Sequence, residues 1–320
     1  MSISTTCRGN VRPFQGVDLH WEEWSGPRPH SGGERRPLVL VHGLSDSCRT
    51  WNRIAPALAA GRRVYALDLP GHGRSSRPDA PYDAAWYAGV VAEWISDLGL
   101  DDFDMIGHSL GGGIAMHVLA KQPGRVHRLA LLAPGGLGLE VALPLRLAAV
   151  TGVLKLAAPL LMGVGTRAGI MVLGGNFNGS ERRHLARMNS VPGTGRALSR
   201  TLQSTMDMKG QREHFLDHAH RLPELPPMAI YWGERDPVIP VRHADEVARY
   251  LDGVHVRRFA NAGHYPHREA ATELLPEILR FLEEPQAAPS VRRGARPPRA
   301  LPAARPRLLL PIGRKVAGAA

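Results

Sequence analysis

A serine flanked by glycines lies at a change of pattern in the sequence. Residues 103–107, FDMIG, form a short apolar run typical of a buried strand, and a helical pattern follows over residues 109–121. Residues 107–111, GHSLG, make a G-x-S-x-G motif at this predicted strand-to-helix turn. Small residues on both sides let strand and helix approach while the hydroxyl of Ser109 points outward. Ser109 is therefore a candidate nucleophile.

Two later segments could supply the base and the acid that a serine needs at neutral pH. WGERDPVIP places Asp236 just after one predicted strand, and ANAGHYPH places His264 just after another. Loops at the carboxyl ends of parallel strands converge over a sheet, so these side chains could meet Ser109 in the chain order Ser, Asp, His. Glu140, which follows an earlier predicted strand, is the alternative acid.

The elements that would position these residues alternate between strand and helix. Continuous apolar strands followed by helices predict a mostly parallel sheet covered on both faces, the α/β class. The predicted strands span residues 38–42, 64–68, 103–107, 128–133, 228–233 and 254–259. The predicted helices span residues 49–60, 82–98, 109–121, 243–252 and 269–283.

One connection is much longer than the others. About ninety residues of helical, Gly-punctuated sequence separate the strand at 128–133 from the next strand, whereas αβ loops usually have roughly 2–6 residues. An inserted helical cap is the natural interpretation. We therefore expect a core of residues 1–135 and 223–284, and a cap of residues 136–222, which we call the cap segment.

The basic charge of the chain is concentrated in its last residues. The net charge is +11, and residues 285–320 contain eight Lys and Arg with no Asp or Glu. This Pro- and Ala-rich tail has little apolar surface to bury, so we expect it to be disordered. A solvated appendage and a weak anchor for nucleic acid or anionic lipid are both compatible with it. The body is only mildly basic, and no nucleic-acid partner is expected.

Cysteine content and hydropathy bear on the location of the protein. Cys7 and Cys48 lie in neither a CxxC nor a metal-type spacing, so we expect no disulfide framework and no metal site. The N-terminus lacks the apolar stretch of a secretory signal, and the apolar region 137–173 is interrupted by three cations. We expect a cytoplasmic protein without a transmembrane segment, whose cap or tail could touch a membrane surface weakly.

From about Val17 to Glu284, the chain resembles the α/β-hydrolase superfamily, in particular its serine esterases and lipases with a helical cap. Besides GHSLG, the segment VHGLSDSCRTW is similar to the His-Gly oxyanion loop of that family. LDLPGHGRSSRP is similar to the loop after its fourth strand, and GERDPVIP and AGHYPH are similar to its acid and histidine loops. The resemblance implies an α/β-hydrolase fold.

The resemblance also implies a role for each matching residue. Ser109 would be the nucleophile, His264 the general base and then acid, and Asp236 the carboxylate that orients the histidine. The backbone N–H groups of Leu44 and Leu110 would form the oxyanion hole.

Three further residues belong to the same motifs. His42, Gly43 and His108 are expected to border the substrate, although the two histidines also suit a role in shaping the loops. No cofactor and no metal is implied.

These roles predict acyl transfer through Ser109, followed by release of the acyl group by water. A serine at this position argues against the epoxide hydrolases and haloalkane dehalogenases of the superfamily, which use an aspartate. The apolar cap favours a carboxylic ester of a small to medium lipophilic molecule as substrate. C–C bond hydrolases, lactonases and perhydrolases share this triad, and a non-catalytic binding protein for small molecules shares the fold.

Overall fold

The centre of the structure is a β-sheet of eight strands. The protein is described by a computed structural model that covers residues 5–14, 16–26, 35–155, 159–222 and 224–292, with 159–160, 170–173 and 218 described by backbone alone. The strands of the sheet are β1 (Thr6–Phe14), β2 (Val17–Ser25), β3 (Leu38–Val41), β4 (Arg63–Leu67), β5 (Phe103–His108), β6 (Val126–Leu132), β9 (Met228–Gly233) and β11 (His255–Phe259). Four two-residue strands lie outside it: β7 (Met206–Asp207), β8 (Gly210–Gln211), β10 (Leu251–Asp252) and β12 (Ser290–Val291).

The order of strands in the sheet is β1-β2-β4-β3-β5-β6-β9-β11. The six strands from β4 to β11 run parallel, and β1 and β2 form an antiparallel hairpin at one edge. This confirms the α/β class and the mostly parallel sheet. The hairpin was not among the predicted strands, because β1 is largely exposed and shows no apolar alternation.

Helices cover both faces of the sheet. In the core they are α1 (Ala55–Leu58), α2 (Ala84–Asp97), α3 (Leu110–Lys121), α9 (Arg242–Tyr250), α10 (Pro266–Glu269) and α11 (Ala271–Glu283). Successive residues of β3 enter two different apolar cores: Val39 and Val41 pack with α2, α3 and α9, and Leu38 and Leu40 with α1 and α11. Burial on both faces is why these strands read as continuous apolar runs.

The predicted helix over residues 49–60 is in fact two short pieces. A 3₁₀ helix spans Cys48–Arg53 and α1 follows it, with Ile54 between them at a φ of −119°. Ile54 itself donates to the Trp51 carbonyl and accepts the Leu58 N–H, and the ladder is interrupted by Pro56, which has no N–H to donate. The predicted helix over 82–98 begins instead at Ala84, because the side chain of Asp83 accepts the Trp86 N–H and caps it.

The cap segment connects β6 to β9 and is mainly helical. It contains α4 (Leu143–Thr151), a 3₁₀ turn (Val153–Lys155), α5 (Pro159–Leu173), α6 (Gly179–Asn189), α7 (Thr194–Thr205) and α8 (Leu216–Ala219), with the β7–β8 hairpin after α7. It rests on α2 through buried hydrogen bonds, such as the 3.0 Å contact between the hydroxyls of Tyr87 and Thr201. Within the described residues, none of the helices combines the length and apolar character that a membrane crossing requires.

The fold extends slightly past the expected end of the core at residue 284. Ser290 and Val291 pair with Asp252 and Leu251 in an antiparallel ladder, so the expectation that disorder begins at 285 is wrong for these residues. The ladder satisfies backbone groups that composition alone did not indicate. The rest of the expected tail, 293–320, lies outside the described residues.

Candidate active site

Ser109 lies at the sharp turn between β5 and α3. Its backbone has a φ of 52° and a ψ of −119°, a strained conformation for a residue with a side chain. The glycines of the motif leave room for the close approach of β5, α3 and β3 at this turn. A Cβ on Gly107 would lie 2.4 Å from the carbonyl oxygen of Gly111, and a Cβ on Gly111 would lie 2.2 Å from that of Val41. Strand and helix can therefore approach only with glycine at both positions.

The structure brings Ser109, His264 and Asp236 into one hydrogen-bonded chain. The Oγ of Ser109 lies 2.9 Å from Nε2 of His264, and Nδ1 of His264 lies 2.8 Å from Oδ2 of Asp236. The side chains of His264 and Asp236 are 5% and 0% exposed. Because the carboxylate accepts the Nδ1 proton, Nε2 carries the lone pair that faces the serine hydroxyl. This is the arrangement in which an imidazole can remove the hydroxyl proton.

Further hydrogen bonds hold the Asp236 carboxylate in position. Its Oδ1 accepts the backbone N–H groups of Val238 and Ile239 at 2.8 and 3.0 Å. Its Oδ2, which faces His264, also accepts the indole N–H of Trp232 at 2.9 Å. These donors leave the carboxylate one orientation, so the His264 ring is directed as well.

Glu140, the alternative acid, is placed elsewhere. Its Oε2 lies 2.6 Å from Nε2 of His243, and its Oε1 lies 3.0 Å from the guanidinium of Arg242. Both partners belong to α9 or its start, so the carboxylate ties the loop after β6 to that helix. The carboxylate that accepts the Nδ1–H of His264 is that of Asp236.

The backbone around His264 is held by the side chains of His108 and Glu269, of which only His108 was singled out from the sequence. Nε2 of His108 lies 2.8 Å from the carbonyl oxygen of His264, and burial holds the pKa of His108 well below its usual value, so the neutral ring donates this bond. The carboxylate of Glu269 accepts the N–H groups of Gly263 and Tyr265, on either side of the histidine, at 2.7 and 3.3 Å.

Glu269 also reaches the cap segment. Its Oε1 accepts the N–H of Gly175 at 2.7 Å, so one carboxylate joins the histidine loop to the cap segment. The sequence contains a signal for it, since Glu269 follows His264 by five residues at the end of a short helical turn. A carboxylate there can reach backward to the loop that precedes the turn.

His42 orients a peptide group beside Ser109. Its Nε2 accepts the backbone N–H of Leu69 at 3.0 Å, so its Nδ1 carries the proton and donates to the carbonyl oxygen of Gly43 at 2.7 Å. In a trans peptide the N–H points opposite to the carbonyl, so the N–H of Leu44 points away from the His42 ring. A Cβ on Gly43 would lie 3.1 Å from Cβ of Ser109, which shows how closely this peptide packs against the turn.

His42 and His108, which were expected to contact the substrate, lie behind Ser109, and that contact stays a prediction. Both rings are buried and bond backbone carbonyl groups, and neither lines the cavity described below. Gly43 does not line it either, because it packs against His108 and Ser109. These three residues support the site from behind.

A cavity of about 340 Å³ opens beside Ser109. Leu44 and Leu110 line its near end, and Leu110 is the first residue of α3, where backbone N–H groups have no partner within the helix. Most of the wall is apolar and comes from α3, the cap segment and the loop after β9, including Ile114, Met116, Leu145, Leu202, Phe215 and Ile239. The site can therefore take a lipophilic group beside Ser109.

Among the described residues, one group has the spacing of metal ligands. Ligand atoms of His20, Cys48 and Asp68 all lie within 4.8 Å of one another. Both oxygens of Asp68 are occupied, by the backbone N–H groups of Cys48 and Arg74 and by Nδ1 of His20. Burial raises the pKa of the Cys48 thiol well above its usual value, which disfavours the thiolate that binds metals. The group is therefore a buried hydrogen-bond cluster that joins β2, the 3₁₀ helix and the loop after β4.

Comparison with known proteins agrees with this architecture. Residues 36–271 match a family model described as the alpha/beta hydrolase fold. An uncharacterized protein of Mycobacterium tuberculosis is 32% identical over 299 residues, covering 89% of this chain and 87% of that protein.

Two solved structures share the fold at low sequence identity. A carboxylesterase from Bacillus subtilis has a TM-score of 0.69 at 19% identity and covers 87% of this chain and 92% of its own. The epoxide hydrolase CorEH has a TM-score of 0.67 at 24% identity and covers 86% and 98%. A carboxylesterase and an epoxide hydrolase have similar TM-scores to this chain, so the fold does not distinguish between reactions. The choice depends on the residues of the site.

Proposed function

The chain belongs to the α/β hydrolase family, and from that premise we propose that it is a serine hydrolase that cleaves carboxylic esters of small to medium lipophilic molecules. The observation that carries the proposal is the chain of hydrogen bonds from Ser109 through His264 to Asp236, at 2.9 and 2.8 Å. A hydroxyl, an imidazole and a carboxylate in this order are the parts of a nucleophilic acyl transfer.

In the first half of the reaction, Oγ of Ser109 attacks the ester carbonyl while Nε2 of His264 takes its proton. The imidazolium that forms is stabilised by the Asp236 carboxylate at Nδ1. His264 then gives the proton to the leaving alcohol, and the acyl group remains on the serine. In the second half, His264 activates a water molecule that attacks the acyl-enzyme, and the acid product leaves.

The negative charge on the carbonyl oxygen needs donors that are already in place. The backbone N–H groups of Leu44 and Leu110 are the proposed donors, because both residues line the cavity together with Ser109. His42 turns the N–H of Leu44 away from its own ring, and Leu110 begins α3. One such donor typically lowers the barrier by about 2.7–4 kcal/mol.

The cavity supports a lipophilic substrate. Its wall follows α3 from Ser109 to Ala120, which corresponds to about 16 Å along the helix axis. An unbranched acyl chain of medium length can lie along this wall with its carbonyl at Ser109. His117 and Glu213, whose Nε2 and Oε2 are 2.9 Å apart, lie toward the far end.

A serine at the turn distinguishes this chemistry from that of epoxide hydrolases. Opening an epoxide through a covalent intermediate requires a carboxylate at the position of the nucleophile, and residue 109 is a serine. C–C bond hydrolysis, lactone hydrolysis and perhydrolysis remain alternatives on the same triad, and all of them require the same nucleophile.

The test is covalent labelling followed by turnover. A fluorophosphonate should label the wild-type chain at Ser109, as shown by peptide mapping, and p-nitrophenyl esters should be hydrolysed with an optimum at medium acyl length. Ser109→Ala should lose both properties, whereas the exposed Ser180→Ala should keep both. Turnover retained by Ser109→Ala, or a label on another residue, would overturn the proposal. A folded wild type that binds esters without turnover would make the protein a binding member of the family.

A further inference from the structure

Exposed apolar side chains are concentrated on the cap segment. Among the described residues, eight large hydrophobic side chains are exposed, and only Val11 lies in the core. The other seven are 45–63% exposed: Leu143, Leu147, Val150, Val153, Leu161, Val164 and Met208. Scattered exposed apolar residues are ordinary, but a concentration on one part of a molecule marks an interaction surface.

Most of these side chains belong to one continuous surface. Leu143, Leu147 and Val150 follow each other on α4 at intervals of four and three residues, which places them on one side of the helix. Val153 comes next, after the left-handed turn at Gly152. Arg146 donates to the carbonyl oxygen of Met208 at 3.1 Å and so joins the β7–β8 turn to α4. We call Leu143, Leu147, Val150, Val153 and Met208 the cap apolar face.

Helix α5 also carries exposed apolar side chains. Leu161 and Val164, three residues apart, are exposed, whereas Met162 between them is buried. The sulfur of Met162 lies near Gly195 of α7, and so does the carbonyl oxygen of Leu154 in the 3₁₀ turn. The three elements α5, α7 and the 3₁₀ turn therefore meet at Gly195. The inner side of α5 therefore packs within the cap segment, and its outer side is apolar.

The charges along α4 and α5 have one sign, whereas the acidic residues Glu140 and Asp207 lie before α4 and beside Met208. Residues 141–180 contain no Asp or Glu, and their three charged residues are Arg146, Lys155 and Arg167. The whole cap segment has eleven Lys and Arg against five Asp and Glu, a net charge of +6. The core, residues 1–135 and 223–284, has twenty-one against twenty-four, a net charge of −3. Helices with an apolar side and flanking cations suit an anionic lipid surface.

The cap apolar face also has a defined relation to the cavity. Leu145 of α4 lines the cavity, whereas Leu143 and Leu147, two residues away on either side, point outward. One helix thus separates the outer apolar surface from the apolar wall beside Ser109. A lipophilic molecule in contact with the outer surface would be only a helix diameter from the site.

We propose that the cap apolar face binds peripherally to a bilayer that contains anionic phospholipid. Apolar side chains enter the boundary between head groups and acyl chains, while Arg146, Lys155 and Arg167 lie among the anionic head groups. The binding itself does not depend on the reaction. Its consequence, that ester substrates reach Ser109 from the bilayer, rests on the proposed function.

Vesicle flotation of the full chain tests the binding. Wild type should float with vesicles of equal phosphatidylglycerol and phosphatidylcholine, and much less with phosphatidylcholine alone. The double variant Leu147→Glu, Val150→Glu should bind the anionic vesicles at least about tenfold more weakly, because two apolar side chains no longer enter the lipid. Val11→Glu removes an equally exposed apolar side chain from β1, far from the cap segment in sequence, and should bind as wild type does.

Separate variants test how the cations of the cap segment contribute to vesicle binding. Lys155→Gln and Arg167→Gln should each weaken binding to the anionic vesicles by about fivefold, with no effect on phosphatidylcholine vesicles. A chain shortened after residue 292 removes the basic tail and should still depend on Leu147 and Val150. Loss of binding in the shortened chain together with full binding by the double variant would assign the contact to the tail and overturn the proposal.

A second copy of the chain is the other occupant that an apolar surface could have. Light scattering after size-exclusion chromatography should show the same mass for wild type and for Leu147→Glu, Val150→Glu. A dimer that only the double variant dissociates would overturn the proposal, as would wild type that stays out of both vesicle types.

Activity measurements keep this proposal separate from the proposed function. The double variant should hydrolyse a soluble short-chain ester at the wild-type rate, since neither side chain lines the cavity. Ser109→Ala should bind vesicles as wild type does while lacking turnover. If wild type binds vesicles but hydrolyses nothing, the reaction is wrong and the binding surface stands.

Discussion

At Asp236, two backbone N–H groups, an indole N–H and the His264 ring share one carboxylate. Asp236→Asn keeps the shape but removes the charge that stabilises the imidazolium, and its amide can present a donor to Nδ1. We predict that kcat for ester hydrolysis falls by about 10⁴-fold, the loss seen when the same carboxylate is made an amide in a serine protease. Steady-state kinetics on a p-nitrophenyl ester measures it.

Glu140→Gln provides the matched control for this prediction. Its carboxylate bonds His243 and Arg242, not His264, so the substitution should leave kcat unchanged and cost only stability. A large loss of kcat in Glu140→Gln with little loss in Asp236→Asn would reverse the assignment of the acid.

At the scale of residues, the sequence indicated the three side chains of the proposed triad better than the groups that hold them in place. Ser109, Asp236 and His264 each lie in a short motif after a predicted strand, so loop convergence was enough to predict that they meet. Trp232 donates to a carboxylate four residues away and Glu269 accepts backbone N–H groups, and the apolar patterns that mark strands and helices indicate neither contact. The burial of His42 and His108 could not be predicted for a related reason, since it depends on what the whole fold packs around each ring.

At the scale of elements, adding one methyl group should change the free energy of unfolding in opposite directions at two glycines. Gly111 lies at the turn between β5 and α3, and Gly89 lies in the middle of α2. On Gly111 a Cβ would lie 2.2 Å from the carbonyl oxygen of Val41, whereas on Gly89 it meets nothing within 4 Å. Gly111→Ala should lower the free energy of unfolding by about 3 kcal/mol or more. Gly89→Ala should raise it by about 0.5–1 kcal/mol, because alanine loses less backbone entropy in a helix.

Urea unfolding followed by circular dichroism gives both values. Gly89→Ala should also keep the wild-type rate of ester hydrolysis, because the residue lies outside the cavity and the hydrogen-bonded chain. Equal stability of the two variants would mean that strand and helix at the turn can separate, against the close approach seen here.

Elements buried on two sides were the ones that could be predicted. The parallel strands and α2, α3 and α11 carry long apolar patterns, and each appears within a few residues of its expected place. The hairpin of β1 and β2 could not be predicted, since a mostly exposed edge strand such as TCRGNVRPF has no apolar side to mark it. The pairing of β10 with β12 depends on two residues and a neighbour some forty positions away.

At the scale of the whole molecule, buried histidines set the response to acid. His72, His108 and His267 are all buried. Burial lowers the pKa of His72 from 6.5 to about 3 and holds the pKa values of His108 and His267 well below 6.5. Below pH 6.5 the unfolded chain takes up protons that the folded chain does not, so stability falls as pH falls. Each histidine contributes about 1.4 kcal/mol per pH unit.

We therefore predict that these histidines reduce stability below about pH 6.5, against the buried carboxyls of Asp46 and Asp104, whose pKa values burial raises and which act in the opposite direction. His72→Asn, which keeps a donor for the Pro70 carbonyl, should reduce the slope of unfolding free energy against pH by about 1.4 kcal/mol per unit. The exposed His220→Asn should retain the wild-type slope. Urea titrations at several pH values measure it, and an unchanged slope in His72→Asn would contradict the prediction.

The strands that precede Ser109, Asp236 and His264 lie in one half of the sheet, in the order β5-β6-β9-β11, but far apart in the chain. Ser109 follows β5, Asp236 follows β9 and His264 follows β11, and the contact between Ser109 and His264 joins residues 155 positions apart. Synthesis of the chain completes α3, one part of the cavity wall, about 140 residues before it reaches His264. A chain that ends before His264 therefore contains Ser109 without the imidazole that faces its hydroxyl.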